Sequence, residues 1–256
     1  MISHHRFFDS EVSLTQFPSS GVHGLTLWDS GLVLAKTIET LYEKKQLCFG
    51  SRVIELAAGL ALPSLSLLTM DSLKKESSNL SVFITDSDPE VLRVTKETIV
   101  ERNTFIRKPV EELTSTIQEA PCTDNNSSSS SSSSISLFSK TTSSEGRIYL
   151  GRLDLLEPPP ILPPASKFDL ILFSDLLYDP SLYEPLVNTL DALSGENTML
   201  LFANEKRDFG SEMEFYRMLG KKFSFKPVKD LHPEFQSEDI YVFEARRKNV
   251  LSAKEE

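Results

Sequence analysis

The sequence predicts an α/β protein built around an open, mostly parallel sheet. Of its 256 residues, 39% are hydrophobic and 25% are charged, which is ordinary for a globular domain. Three apolar runs, at 53–56, 81–85 and 168–173, contain or precede an acidic residue at their carboxyl ends. These runs alternate with segments of helical periodicity, as in the βα units of a parallel sheet. The carboxyl ends of such strands meet at one crevice, so a ligand site is expected there.

The first 103 residues divide into a short arm and a regular series of elements. Residues 1–20 are mixed in character and predict an edge hairpin or an arm. The elements that follow are a helix over 27–42, a strand over 52–56, a helix from about 60 to 70, a strand over 81–85, and a helix from 89 to about 103. Asp29 or Ser30 is a candidate cap for the first helix, and Asp88, followed by proline, for the third.

Residues 104–147 interrupt this pattern. They include an unbroken serine run at 127–134, which cannot bury enough apolar surface to offset the entropy of ordering. We therefore predict a single domain over 1–256 that carries a disordered surface insertion at about 104–147. The later elements are strands over 148–153 and 168–173, a helix over 180–193, a strand over 199–203, a helix from about 211 to 219, and strands over 223–228 and 240–245. The last two strands predict an antiparallel hairpin at one edge of the sheet.

Composition and charge exclude several classes of function. No apolar run approaches the roughly 18 residues that span a bilayer, and the first residues lack the apolar segment of a signal peptide. Two cysteines make neither a disulfide framework nor a zinc site, and the four histidines have no metal-ligand spacing. We therefore expect a cytoplasmic or nuclear protein with no membrane partner and no metal. The net charge of −10 repels nucleic-acid backbones, so nucleic acid is not an expected partner.

The turn after the first long strand argues against a dinucleotide ligand. A dinucleotide fingerprint needs glycines spaced G-x-G-x-x-G, and the matching positions here are Ala57, Gly59 and Leu62. The bulk of Leu62 would crowd a pyrophosphate. S-adenosylmethionine has no phosphate, and its amino-acid part can meet a small-residue turn and a helix N-terminus. Its ribose hydroxyls can donate to Asp86, which ends the next strand.

Several segments resemble the seven-strand protein-lysine methyltransferases of methyltransferase family 16. They are 27–35, 53–63, 85–86 and 168–178, together with 215–219 and 239–245 near the carboxyl terminus. The Asp175-x-x-Tyr178 pattern is the most diagnostic part, and the resemblance covers nearly the whole chain outside 104–147. It implies a Rossmann-like, seven-strand class I methyltransferase sheet. It also implies methyl transfer from S-adenosylmethionine to lysines of non-histone proteins, chaperones and translation factors among them.

The resemblance also implies roles for individual residues. The cofactor-binding residues would be Trp28, Glu55, Ala57, Ala58, Gly59, Asp86, Leu155 and Ser174. The turn would hold the methionine part of the cofactor and Asp86 its ribose. Asp175 and Tyr178 would be the catalytic pair that lines the entrance for the target lysine. Taken alone, Trp28 would also suit an apolar anchor of its helix in the core.

The sequence departs from the family pattern at two places. The family turn usually reads Gly-Ala-Gly-Thr-Gly, whereas Ala57 and Ala61 replace two of those glycines here. A positive φ at either alanine would cost roughly 1–2 kcal/mol, a five- to thirty-fold loss of affinity if paid on binding. Leu155 stands where the family often has tryptophan, so it offers adenine an apolar wall without aromatic stacking. Two alternatives therefore stay open: a methyltransferase-fold interaction module with weak or no catalysis, and a methyltransferase that acts on a small molecule.

Overall fold

The computed structural model describes residues 1–74, 78–113, 146–160, 162, 164–229 and 231–248. The strands are β1 (Ile2–Phe7), β2 (Ser10–Thr15), β3 (Arg52–Leu56), β4 (Ser81–Asp86), β5 (Val110–Leu113), β6 (Ile148–Arg152), β7 (Phe168–Ser174), β8 (Ser194–Glu205), β9 (Phe223–Pro227) and β10 (Ile240–Arg247). The helices are α1 (Asp29–Glu43), α2 (Leu62–Ser72), α3 (Pro89–Glu97), α4 (Tyr183–Leu193) and α5 (Phe209–Lys222).

Eight of these strands form one sheet in the order β5-β6-β4-β3-β7-β8-β10-β9. Neighbouring strands from β5 to β8 are parallel, and β10 runs antiparallel to both β8 and β9. This confirms the predicted α/β class and the antiparallel hairpin at one edge. The chain moves outward from β3 to β4 and β6, and then returns to β7 on the other side of β3. The crevice at this switch point is where an open α/β sheet binds ligands.

The sheet has one strand more than the seven that the resemblance implies. Residues Val110–Leu113, which the sequence analysis assigned to the insertion, pair in parallel with β6 at the edge. The predicted start of the insertion at 104 was therefore wrong. Two adjacent glutamates obscured the strand pattern, and one of them, Glu111, pairs with Arg147 at 2.6 Å. The rest of the predicted insertion, 114–145 with its serine run, lies outside the described residues.

The remaining elements differ from the prediction mainly at their ends. The helix expected to reach 103 stops at Glu97, and a π-helical turn covers Thr98–Arg102. Its predicted cap is confirmed, because the side chain of Asp88 accepts a hydrogen bond from the backbone N–H of Glu90 at 2.8 Å. Residues 1–20 contain the expected hairpin, in which β1 and β2 form a separate two-stranded sheet.

Apolar side chains cover both faces of the large sheet. Adjacent residues of β3 point to opposite faces, so Val53 belongs to one buried cluster and Ile54 to the other. Residues of α1, α2 and α3 pack in the first cluster, and residues of α4 and α5 pack in the second. Both faces are therefore closed, and the carboxyl edge of the strands is left as the place for a ligand. No helix in the described part of the chain is long and apolar enough to cross a membrane.

Candidate active site

The turn between β3 and α2 is built from residues in the left-handed backbone region. Ala57, Gly59 and Ala61 have φ values of +44°, +52° and +55°. The backbone N–H of Ala58 donates to Thr85 at 2.8 Å, which fixes the turn against the neighbouring strand. Both alanines therefore have a positive φ, a backbone conformation that costs an L-residue roughly 1–2 kcal/mol. This strain is already present in the folded protein, so it lowers the stability of the fold and does not reduce the affinity for a ligand.

Asp86 ties the end of β4 to this turn. Its two carboxylate oxygens accept hydrogen bonds from the backbone N–H of Gly59 at 3.0 Å and of Asp88 at 3.1 Å. Burial raises the pKa of Asp86, and these hydrogen bonds oppose the increase. Each oxygen keeps a second lone pair. The carboxylate can therefore accept ribose hydroxyls without releasing the turn.

Glu55 lies beneath the turn and does not line the cavity. It is completely buried and accepts a hydrogen bond from the backbone N–H of Ser64, in the first turn of α2, at 2.9 Å. Burial, with a smaller contribution from the charge of Asp86, raises the pKa of Glu55 to about 7. The residue that was predicted to bind the cofactor is thus placed to support the helix that begins at the turn.

Trp28 forms an exposed wall of the site. It precedes α1, its side chain is 41% exposed, and its indole N–H donates to the carbonyl of His23 at 3.2 Å. The position is fixed from behind by the buried side chain of Gln16, whose oxygen accepts the N–H of Leu27 at 3.0 Å. The amide nitrogen of Gln16 donates in turn to Ser3 in β1 at 2.6 Å. The exposure of the indole favours the predicted place beside a ligand over an anchor in the core.

The turn after β7 presents the predicted catalytic pair. Asp175 has a φ of +58°, and its backbone N–H donates to Ala203 of the neighbouring β8 at 3.0 Å. Its carboxylate is 6% exposed and receives two hydrogen bonds from the guanidinium of Arg207, at 2.6 and 2.7 Å. Tyr178 is 53% exposed, and burial of part of its side chain raises its pKa, so the phenol stays neutral at physiological pH.

Eight of the ten predicted residues come together around one cavity of about 260 Å³. It is lined by Trp28, by the turn residues Ala57, Ala58 and Gly59, by Asp86, and by Ser174, Asp175 and Tyr178. The two exceptions are Glu55 and Leu155. Leu155 is buried in the apolar cluster that α4 and α5 cover, so its predicted place against adenine is not among the walls of this cavity.

A smaller cleft of about 160 Å³ opens beside this cavity and shares four of its residues. The sequence analysis missed two of its walls, His23 and Arg207. The ring of His23 lies 6.1 Å from that of Trp28 and 6.2 Å from that of Tyr178. The guanidinium of Arg207 lies 5.7 Å from the centre of the indole ring. Arg207 lies two residues beyond the end of β8, at the same edge of the sheet as Asp175, and that position is the signal that could have marked it.

The chemistry of the cavity fits S-adenosylmethionine. Its lining includes the carboxylates of Asp86, Asp88 and Asp175, whereas the cofactor carries positive charge on sulfur and on its amino group. Leu62, the first residue of α2, lines the cavity, and the N-cap residue Ala61 makes no side-chain hydrogen bond. The positive end of the helix dipole can therefore face the cofactor carboxylate, although Glu55 already accepts the N–H of Ser64. A side chain at Gly59 would be crowded, because an added Cβ would lie 3.1 Å from the Gly24 carbonyl oxygen, and strained, because φ is +52° there.

Three solved methyltransferases illustrate the likeness to known structures. A TehB-like SAM-dependent methyltransferase from Corynebacterium glutamicum is 13% identical, over 88% of this chain and 90% of that one, with a TM-score of 0.47. The glycopeptide N-methyltransferase MtfA complexed with S-adenosylmethionine is 12% identical, over 83% of this chain and 87% of that one, with a TM-score of 0.49. A ribosomal protein L11 methylase from Lactobacillus delbrueckii subsp. bulgaricus is 14% identical, over 83% and 79%, with a TM-score of 0.48. Such values are too low to carry an argument about the substrate.

One segment of the sequence matches a known protein family. Residues 135–222 match the family described as lysine methyltransferase. The described part of this segment runs from β6 through α5 and contains Ser174, Asp175, Tyr178 and Arg207. The match supports the predicted resemblance to the methyltransferases of family 16, and it supports S-adenosylmethionine as the cofactor.

Proposed function

We propose that this enzyme transfers the methyl group of S-adenosylmethionine to the side-chain amine of a lysine in a non-histone protein. The observation that carries the proposal is the cleft beside the cofactor cavity. The two share His23, Trp28, Asp175 and Tyr178, so an amine held in the cleft lies next to the cofactor. Three rings and one carboxylate suit a long aliphatic stem that ends in an amine. The match to the lysine methyltransferase family supports the same substrate class.

The proposed partner is a protein of the cytoplasm or nucleus, with chaperones and translation factors as the classes that the resemblance implies. Neither nucleic acid nor a membrane is proposed as a partner. The net charge of −10 supports this choice, because an acidic surface attracts basic protein segments and repels phosphate backbones.

The reaction is a direct displacement. S-adenosylmethionine supplies a methyl group on positively charged sulfur. The nitrogen lone pair of the target amine forms the new N–C bond as the C–S bond breaks, and the amine later releases a proton to solvent. The rings of Trp28 and Tyr178 exclude water and hold the stem, while a free lone pair of Asp175 accepts an amine hydrogen. A lysine amine has a pKa of about 10.4 in water, and removal from water lowers that pKa, which favours the neutral nucleophile. Alignment at about 3 Å supplies most of the catalysis.

The test uses radiolabelled S-adenosylmethionine and a cell lysate, followed by mass spectrometry of the labelled band to locate the methylated lysine. Asp175→Ala should remove transfer and leave the affinity for S-adenosylhomocysteine nearly unchanged. Asp9→Ala, at an exposed hairpin residue, is the matched control. Unchanged transfer by Asp175→Ala would defeat the assignment. Label that appears only in the small-molecule fraction would show that the substrate is a small molecule and not a protein lysine.

A second candidate, a cofactor-free interaction module, is favoured by one observation only. The two alanines that replace family glycines sit in left-handed conformations. Calorimetric titration with S-adenosylhomocysteine separates the two functions. Micromolar binding supports the enzyme, and a flat titration supports the module.

A further inference from the structure

Arg207 lies just beyond β8, at the outer end of the cleft. Among the described residues that line the cleft, it is the one that does not also line the cofactor cavity. Its two terminal nitrogens donate to the two carboxylate oxygens of Asp175, and one of them also donates to Glu205 at 3.0 Å. The hydrogen bonds with Asp175 raise the pKa of the Arg207 guanidinium, so its charge is permanent.

The two carboxylates around Arg207 differ in exposure. The side chain of Asp175 is 6% exposed, and that of Glu205 is 41% exposed. Breaking a buried ion pair is costly because one charge is left without a partner, whereas an exposed pair contributes little. The contact with Asp175 therefore dominates, and Glu205 holds the guanidinium from its solvent side.

We propose that Arg207 is a positioning residue of the methyl transfer, a role that rests on the proposed function. Its planar fork makes two parallel hydrogen bonds and fixes the plane of the Asp175 carboxylate, which a single-point cation cannot do. The same guanidinium covers the indole of Trp28 and so sets one wall of the cleft. The target amine then meets a carboxylate of fixed orientation through the lone pairs that Arg207 leaves free.

An opposite role for the same contact predicts a different result. If Arg207 blocked Asp175 from the amine, its removal would raise the rate of transfer. A positioning role predicts a loss of kcat, because misplacement by about 1 Å can cost a hundredfold in rate. A lower rate of methyl transfer in Arg207→Ala therefore supports the positioning role, and a higher rate supports the blocking role.

The kinetic test compares Arg207→Ala and Arg207→Lys with Arg217→Ala, which removes an arginine paired with Glu214 on the exposed side of α5. The substrate is the lysate protein that the wild type labels. Arg207→Ala should lower kcat about 100-fold with the KM for S-adenosylmethionine within about 3-fold of wild type. Arg207→Lys should recover only part of the rate, and added guanidinium ion should restore Arg207→Ala but not Asp175→Ala. Wild-type or faster transfer by Arg207→Ala, or no restoration by guanidinium, would overturn the role.

A second measurement needs no substrate. Trp28 is the only tryptophan, so its fluorescence reports this site alone. Removal of the guanidinium should increase quenching of Trp28 by acrylamide in Arg207→Ala and leave it unchanged in Arg217→Ala. Equal quenching in wild type and Arg207→Ala would overturn the placement of Arg207. If the wild type transfers no label, both the proposed function and the role of Arg207 are wrong. If the wild type transfers label and Arg207→Ala transfers it equally well, only the role of Arg207 is wrong.

Discussion

The carboxylate of Asp86, at the end of β4, accepts a hydrogen bond from the backbone N–H of Gly59, in the turn after β3, at 3.0 Å. One side chain thus holds the turn and faces the cavity. Asp86→Asn keeps one acceptor oxygen and loses the charge. Because hydrogen bonds to charged groups contribute about 1.5–3 kcal/mol, we expect S-adenosylhomocysteine to bind roughly 10- to 100-fold more weakly in calorimetric titration.

The control for Asp86 is Asp9→Asn, which removes an exposed carboxylate in the hairpin turn and should leave binding unchanged. Equal affinity in Asp86→Asn and wild type would show that this carboxylate does not contact the cofactor.

The left-handed alanines predict an unusual response to glycine. In Ala57→Gly, relief of about 1–2 kcal/mol of strain outweighs the 0.4–1 kcal/mol that glycine costs through the unfolded chain. The methyl of Ala57 is only partly buried against the apolar cluster, so its loss costs less than that of a buried methyl, and urea denaturation should show a gain of up to about 1 kcal/mol. Ala61 is buried, and loss of its methyl costs about 0.8 kcal/mol, so Ala61→Gly should be close to neutral.

Ala35→Gly provides the comparison, because Ala35 is buried in the middle of α1. There glycine should destabilise by about 2 kcal/mol, from lost helix propensity and a lost buried methyl. A similar loss in Ala57→Gly would mean that position 57 does not hold a positive φ in solution.

Glu55 should make stability depend on pH. Its pKa is raised from 4.5 to about 7 in the folded protein, so between these values the folded state binds a proton that the unfolded state does not. The stabilisation is therefore complete below about pH 4.5 and is lost as the pH rises through about 7. The full change is on the order of 3 kcal/mol.

Glu55→Gln isolates this contribution, because glutamine can still accept the N–H of Ser64 but does not ionise. Urea denaturation at pH 5 and pH 8 should show that the variant gains stability relative to wild type at the higher pH. If the free energies of unfolding of the two proteins differ by the same amount at both pH values, Glu55 does not titrate with a raised pKa in the folded protein.

Trp28 should matter for the cofactor more than for stability. The indole lines the cavity and is 41% exposed, so Trp28→Ala should weaken S-adenosylhomocysteine binding about tenfold while it lowers the free energy of unfolding by less than about 1 kcal/mol. Trp28→Phe should bind within a few-fold of wild type. A large loss of stability with unchanged binding would instead identify Trp28 as an anchor of α1.

The sequence could predict most of the site because the fold places it by a simple rule. Parallel strands end at one edge, so the residues after β3, β4 and β7 had to converge. This rule brought Gly59, Asp86 and Asp175 together although they are far apart in sequence. Trp28 depended on the resemblance, since its helical periodicity alone also suited an anchor in the core.

The site residues that the sequence analysis missed or misplaced depend on contacts between segments that are distant in sequence. Arg207 meets Asp175 only because β7 and β8 are neighbours, and His23 joins the rings of Trp28 and Tyr178 through a loop outside the sheet. Leu155 was placed by resemblance, but the chain after β6 directs it into the apolar cluster under α4 and α5. The contacts of His23 and Leu155 have no signal in local periodicity or spacing, whereas Arg207 is marked only by its position just beyond a strand.

The buried amide of Gln16 has a practical consequence for experiments on this enzyme. It connects Ser3, in the first strand, to the backbone just before Trp28. Deletions in that strand would thus remove one support of the segment that carries the indole. Variants that shorten the hairpin should therefore be tested for cofactor binding as well as for stability.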